Sequence, residues 1–72
     1  MKSIAFTVKY YSLLAFEATL EQSEDLRNEL RRADRNTWYI VIPDEAEISD
    51  GENDIRELLN KYGMIEGKDY EF

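Results

Sequence analysis

A run of five bulky residues, Trp38-Tyr39-Ile40-Val41-Ile42, constrains the fold of this chain more than any other feature. Aromatic and β-branched side chains favour strands, and a run without polar residues is typical of a central strand covered on both faces. Pro43 ends the run, because proline lacks the N–H group that a sheet ladder needs. The sequence therefore predicts a sheet with residues 38–42 at its centre.

The N-terminal segment has the alternation of a half-buried strand. Every second side chain from residue 4 to residue 10 is apolar or aromatic, namely Ile4, Phe6, Val8 and Tyr10. The next apolar segment, residues 13–18, has no strict period, and no Asn-Gly or Gly-Gly turn precedes it. We expect a second strand in a hairpin with the first, and a helix is the alternative.

Two capping patterns predict helices. Thr19 is followed by Gln22 three positions later, as in a capping box, and the helix after it carries an apolar stripe of Leu26, Leu30 and Ala33, with Asn36 as its stop. Ser49 and Glu52 form a second capping box before the apolar positions Ile55, Leu58, Leu59 and Tyr62. Gly63 is the expected left-handed residue after this helix, with Met64 packing back on Leu59.

Tyr70 and Phe72 are expected in a short last strand. The predicted order is ββαβαβ, which is an α+β fold: a small two-layer sandwich of about four strands, with two helices on one face. We expect residues 1–72 to form a single acidic domain, since no linker or repeat divides them. A domain of this length buries only about 60% of its unfolded surface, so its core is small.

The charge is divided unequally along the chain. Residues 1–43 hold six basic and six acidic residues, whereas residues 44–72 hold ten acidic and three basic ones, which is the whole net charge of −7. Six acids without a base lie in the segment 44–54: Asp44, Glu45, Glu47, Asp50, Glu52 and Asp54. This segment is predicted to bind a protein partner with a basic surface. The alternative is a solvated face that complements the helix dipole and keeps the domain soluble.

Two further surfaces are candidates for binding. If both helices cover one face of the sheet, Tyr39 and Val41 lie on the other, near Tyr11, and this face would suit a protein partner or a second copy of the chain. A loop or the segment 13–18 could instead cover it. Arg27, Arg31 and Arg35 form a stripe on the first helix, which suggests an anionic neighbour: nucleic acid, the acidic segment of the same chain or that of a second copy. The alternative is a solvated helix face with local ion pairs. Nucleic-acid binding is disfavoured by the pI of about 4.4.

The chain lacks the usual chemistry of an enzyme. It contains no histidine and no cysteine, so there is no imidazole proton shuttle, no thiolate and no zinc-binding pattern. Residues 46–57 match a calcium-binding EF-hand loop only at Asp50, Gly51 and Glu57. We therefore predict no catalytic residue, no metal site and no cofactor.

These patterns predict a non-catalytic protein-binding domain that acts through its acidic C-terminal segment and an open sheet face. One alternative is a small inhibitor or decoy, of the kind that mobile elements use, that mimics nucleic-acid charge against a nucleic-acid-binding enzyme. The other is a homodimeric structural or accessory subunit. A cytoplasmic protein without membrane contact is expected, because neither a signal peptide nor an apolar span is present.

Overall fold

The computed structural model describes residues 1–72, which form four strands and three helices. The strands are β1 (Lys2–Val8), β2 (Arg31–Arg32), β3 (Thr37–Ile42) and β4 (Tyr70–Glu71). The helices are α1 (Leu13–Gln22), α2 (Glu24–Glu29) and α3 (Ile48–Lys61), and a 3₁₀ turn at Tyr10–Ser12 precedes α1. The predicted α+β class with four strands is confirmed, with three helices where two were expected.

The four strands form one antiparallel sheet in the order β2-β3-β1-β4. The β1–β3 pair is the longest, running from Lys2 opposite Ile42 to Thr7 opposite Thr37. Strands β2 and β4 add two residues each at the edges. The predicted central position of residues 38–42 is therefore confirmed, because β3 has a neighbour on both sides.

All three helices lie on one face of this sheet. Alternate side chains of β1 and β3 point to that face and join the helices in one core of thirteen residues, among them Phe16 of α1, Leu26 of α2 and Leu59 of α3. The placement of helices on one face is confirmed. The coverage of β3 on both faces is wrong, because Val41 on the opposite face remains 47% exposed. An antiparallel sheet can leave one face in water when that face carries small and polar residues.

The predicted second strand at residues 13–18 is wrong, because these residues begin helix α1. Leucine, alanine, glutamate and glutamine fill most of α1, and all of them are strong helix formers. The helix buries Phe16 completely, edge-on to Trp38 with ring centroids 4.7 Å apart. The element order is thus strand, two helices, two strands, helix and strand, instead of ββαβαβ.

The predicted capping box at Thr19 is also wrong. The Thr19 hydroxyl donates to the carbonyl of Ala15 inside α1 and is not available to begin a helix. The chain breaks instead at Ser23, which is extended (φ −118°, ψ 108°) and whose Oγ accepts from the N–H of Leu26, 3.3 Å away. The same Oγ donates to the Tyr62 hydroxyl at 2.8 Å, so Ser23 joins the start of α2 to the end of α3.

Helix α2 ends at Glu29, well before the predicted stop at Asn36. Leu30 is extended (φ −98°, ψ 141°), and Arg31 pairs with Tyr39 across the β2–β3 hairpin. The N–H of Ala33 donates to the carbonyl of Thr37 at 2.9 Å, which closes this hairpin. Pairing with β3 therefore overrides the helical spacing of Leu26, Leu30 and Ala33.

The second predicted helix is confirmed as α3, but Ser49 does not cap it. Glu47 precedes the first helical residue, and Ser49 lies within the first turn. At the other end, Gly63 has φ +84° as predicted, and its N–H donates to the carbonyl of Asn60. The N–H of Met64 donates to Leu59, which completes a Schellman ending with both side chains in the core.

Candidate functional site

The acidic segment 44–54 occupies the loop after β3 and the first two turns of α3. Its loop is held to β1, because the Lys2 ammonium donates to the carbonyl of Ala46 at 2.7 Å. The amino group of Met1 lies 2.8 Å from Asp44 and compensates that carboxylate. The remaining five acids, Glu45, Glu47, Asp50, Glu52 and Asp54, form no ion pair.

The acids of α3 are divided between its two flanks. Asp50, Asp54 and Glu57 are spaced by four and three residues, so they lie along the same side of the helix. Glu52 lies on the other side, where Arg56 binds Glu66 with an Nε–Oε1 distance of 2.6 Å. The flank of α3 with Asp50, Asp54 and Glu57 therefore has acidic side chains without a basic partner, whereas the other flank carries the Arg56–Glu66 ion pair.

The uncompensated flank borders a groove of about 510 Å³ between α2 and α3, above β3. We call this the acidic groove. Apolar side chains form its floor, and acidic or amide side chains from both helices form its rim; its lining residues are Asp25, Asn28, Glu29, Ile40, Val41, Ile42, Asp54, Ile55 and Leu58. The structure thus joins Asp54 of the predicted segment with Asp25 and Glu29, which the sequence analysis placed in the neutral part of the chain.

The acidic groove reaches the hydrophobic core. Ile40 and Ile42 each keep 9% of their surface exposed, the highest value among the core residues. On the rim, Lys61 is 4.0 Å from Asp25, with both side chains more than 60% exposed, so this contact is weak. Glu29 and Asp54 form no ion pair. The groove therefore combines an accessible apolar floor with a rim of mostly uncompensated negative charge.

One backbone segment of β3 is also free at the groove. The N–H of Val8 donates to the carbonyl of Asn36, and the N–H of Ala33 donates to the carbonyl of Thr37. In an antiparallel sheet, successive residues of a strand direct their N–H and C=O alternately to the two neighbouring strands, so these two bonds fix the direction for every residue of β3. By this alternation, Val41 directs its N–H and C=O away from β1, toward the β2 side. Strand β2 pairs only with Trp38 and Tyr39. The peptide groups of Val41 consequently have no partner strand and face the acidic groove.

The open sheet face carries two of the three side chains predicted there. Tyr39 is half-buried and Val41 exposed, and Ala5 lies opposite Tyr39 on β1. Polar residues surround these three, among them Thr7 and Glu71, which face each other across β1 and β4. Tyr11 does not belong to a strand. It lies in the 3₁₀ turn, where its hydroxyl donates to the carbonyl of Lys68 at 2.6 Å.

The predicted arginine stripe is wrong, because no helix contains all three residues. Arg27 is in α2, Arg31 in β2 and Arg35 in the hairpin turn that follows. The guanidinium of Arg27 donates to the carbonyl of Leu20 at 2.9 Å, where α1 ends. Arg31 donates in the same way to Asn28 at the end of α2. These two arginines therefore bind helix carbonyls of their own chain.

An exposed apolar surface on α1 and the turn before it was not predicted from the sequence. Tyr10 is 85% exposed and Leu14 is 84% exposed, and the rings of Tyr10 and Tyr11 contact each other edge-on. A helical projection of residues 13–22 would have found it, since Leu14 lies about 160° from Phe16 at 100° per residue. Because residues 13–18 were predicted as a strand, the exposed side of this helix was not apparent from the sequence.

The groups with displaced pKa values stabilise the C-terminal turn. The Ser12 hydroxyl and the Ile65 N–H both donate to the carboxylate of Asp69, which lowers its pKa. Burial raises the pKa of Tyr70, whose ring packs edge-on against Phe6 in the core. No three carboxylates lie close enough to hold a metal ion together. Asp50, Gly51 and Glu57 lie on a helix, and not in a loop that could surround calcium.

Comparison with known proteins gives no family and no relative: no family model, curated protein or solved structure matches this chain. None of the helices combines the length and the apolar character that crossing a membrane requires. The candidate surfaces are therefore interpreted from their own geometry and charge.

Proposed function

We propose that this chain is a non-catalytic binding domain whose partner is a protein with a basic surface. The observation that carries the proposal is the absence of ion pairs at five acids of one short segment, Glu45 to Asp54. Repulsion among such charges disfavours the compact state, and a cationic partner removes that cost. The proposal keeps the cytoplasmic location that the cysteine-free composition predicts.

The geometry supports binding by summed charge and shape. Glu45 and Glu47 lie in an exposed loop, and Asp50 and Asp54 continue along the helix beside the acidic groove. Charge of one sign at one end of a small protein accelerates encounter with a basic surface and makes the affinity depend on salt. A nucleic-acid-binding enzyme is one class of protein with such a surface, so the inhibitor hypothesis is a special case of this proposal.

A second candidate function is a homodimeric accessory subunit joined through the open sheet face. Its support is Val41, which is 47% exposed beside Tyr39 on a face without a covering layer. The apolar part of that face is limited to Ala5, Tyr39 and Val41, within a polar surround. Light scattering separates the two candidates: a dimer has twice the monomer mass and is broken by Val41→Lys.

Two variants of equal net charge test the proposal. Glu45→Lys/Glu47→Lys reverses two uncompensated acids of the segment, and Glu21→Lys/Glu24→Lys reverses two exposed acids outside it. Each raises the net charge from −7 by 4, to −3. Tagged wild type and both variants are used to capture proteins from lysate at low and high salt. Partners identified by mass spectrometry are then purified and titrated by calorimetry.

The expected partner is retained by the wild type and by Glu21→Lys/Glu24→Lys at low salt, and is lost with Glu45→Lys/Glu47→Lys. Its affinity falls as salt rises, because exposed charges are screened over about 10 Å at 0.1 M salt. If both variants lost the partner equally, binding would depend on the net charge of the domain and not on the acidic segment. A partner whose affinity is independent of salt and of both variants would contradict the proposal.

A further inference from the structure

We infer that the acidic groove binds a short extended segment of the partner that contains both lysine or arginine and apolar residues. This inference rests on the proposed function and assigns the binding to one place and one kind of ligand. Three features of the groove carry it: an apolar floor, an acidic rim and a free strand edge.

The floor selects apolar side chains. Ile40 and Ile42 are the most exposed members of the core, and both open into the groove beside Leu58. A volume of about 510 Å³ accommodates a few side chains but no folded element. Each apolar side chain that a ligand buries there adds to its affinity, less the costs of association.

The rim selects positive charge. Asp25 and Glu29 of α2 face Asp54 of α3 across the groove, and a single lysine, Lys61, approaches one of them to 4.0 Å. Lysine and arginine have long aliphatic stems that pack on apolar surface while the charged head stays in water. Such a side chain matches both the floor and the rim. A second copy of this chain, with a net charge of −7, is repelled by the same rim.

The free edge selects an extended backbone. The N–H and C=O of Val41 have no partner strand, and an added strand would bind them by two hydrogen bonds, as in β-augmentation. The strand ends at Ile42 and Pro43 follows without an N–H group, so the pairing is confined to this residue. The ligand is therefore short, and its side chains supply most of its affinity.

The probe is a capped hexapeptide of alternating valine and lysine, titrated into the ¹⁵N-labelled protein at low salt and followed by NMR. We expect saturable shifts at the amides of Val41, Ile42 and Leu58. The variant Asp25→Lys/Glu29→Lys should weaken binding by about tenfold or more, because it reverses two rim charges. Its matched control, Glu21→Lys/Glu24→Lys, has the same net charge and should weaken binding much less.

Two control peptides test specificity. Replacing lysine by glutamate should abolish the shifts, and N-methylation of alternate amides should weaken binding, because it removes donors toward the carbonyl of Val41. Equal weakening by both protein variants, shifts centred outside the groove, or unchanged binding of the N-methylated peptide would overturn the inference. If the valine–lysine peptide does not bind while partner capture still requires Glu45 and Glu47, the groove assignment fails and the proposed function stands.

Discussion

Helices α1 and α3 pack on the same face of the same sheet, but they divide their residues between core and solvent differently. In α3, Ile55 and Leu59 are buried, and most of the opposite side is polar or charged. In α1, only Phe16 is fully buried, while Leu14 is 84% exposed. The apolar side chains of α3 thus mark its buried side, and those of α1 do not.

This difference shows where hydrophobic periodicity is informative. A helix whose apolar residues lie mostly on its buried side has a period of 3.6 that can be read from the sequence, as in α3. A helix with apolar residues on its solvent side loses that period, as in α1, and its intrinsic propensity becomes the better guide. The predictions below test how far the stability of each helix depends on its buried residues.

The largest effect is expected for Phe16→Ala in α1. Phe16 is fully buried with its ring edge-on to Phe6 and Trp38, so truncation leaves a cavity that costs about 3–5 kcal/mol. A domain of this size is stable by only about 4–10 kcal/mol, so the variant should be partly unfolded. Urea denaturation measures the loss, and Leu59→Ala in α3 is the matched comparison. A loss below about 1 kcal/mol would mean that α1 does not anchor the core.

A smaller effect is expected for Gly51→Val in α3. A Cβ atom at Gly51 would overlap Cδ1 of Ile4, so α3 approaches β1 closely at this point. Overpacking of this kind costs about 1–3 kcal/mol. Asn60→Val, at an exposed position of the same helix, controls for the lower helix propensity of valine. Thermal unfolding that is equally affected by both changes would contradict the close packing.

Asp69→Asn tests how the start of α1 is held. The Asp69 carboxylate accepts from Ser12, the residue before α1, and from the N–H of Ile65, and an asparagine replaces one of these two acceptor oxygens by a donor and removes the charge. We expect a loss of about 1–2 kcal/mol at pH 7, measured by urea denaturation.

The loss should depend on pH in a defined direction. Because the folded-state pKa of Asp69 is lowered, its contribution is fully present above the unfolded pKa of about 3.9 and disappears as the pH falls through the folded value. Wild type and variant should therefore converge below pH 3.9. A difference that stays constant from pH 7 to pH 2 would mean that the carboxylate charge is not involved.

The smallest effect is expected for Leu14→Gln on the exposed side of α1. Leu14 is 84% exposed and outside the core cluster, so the free energy of unfolding should change by less than about 0.5 kcal/mol. Light scattering on the same samples reports whether the change alters the mass of the protein in solution. A loss above 1 kcal/mol would show that another surface covers this side of α1.

Much of the fold could be predicted from the sequence, and the failures at residues 23–33 share one physical cause. The strands at residues 4–8 and 38–42, the helix that contains Ile55 and its end at Gly63 follow from local patterns. Residues 23–33 do not, because a helix break at Ser23 and a two-residue strand at Arg31–Arg32 depend on contacts with Tyr62 and β3. Such distant partners leave no local signal.

The candidate site was predictable only in part for the same reason. The acidity of segment 44–54 is a property of composition and could be read directly. The acidic groove could not be read in this way, because one of its walls belongs to α2. Asp25 and Glu29 of that wall lie in the half of the sequence whose charge sums to zero. The free edge at Val41 could not be predicted from the sequence either, because it depends on the register of β2.

The central place of β1 in the sheet has a consequence for how this chain folds. Its two neighbours are far along the sequence: Phe6 lies opposite Trp38, and Val8 lies opposite Tyr70. Neither pairing is a hairpin, so each closes a long loop before its contacts form, and folding that depends on such contacts is slow. During synthesis, the first strand therefore has no neighbouring strand until residues 37–42 have been made.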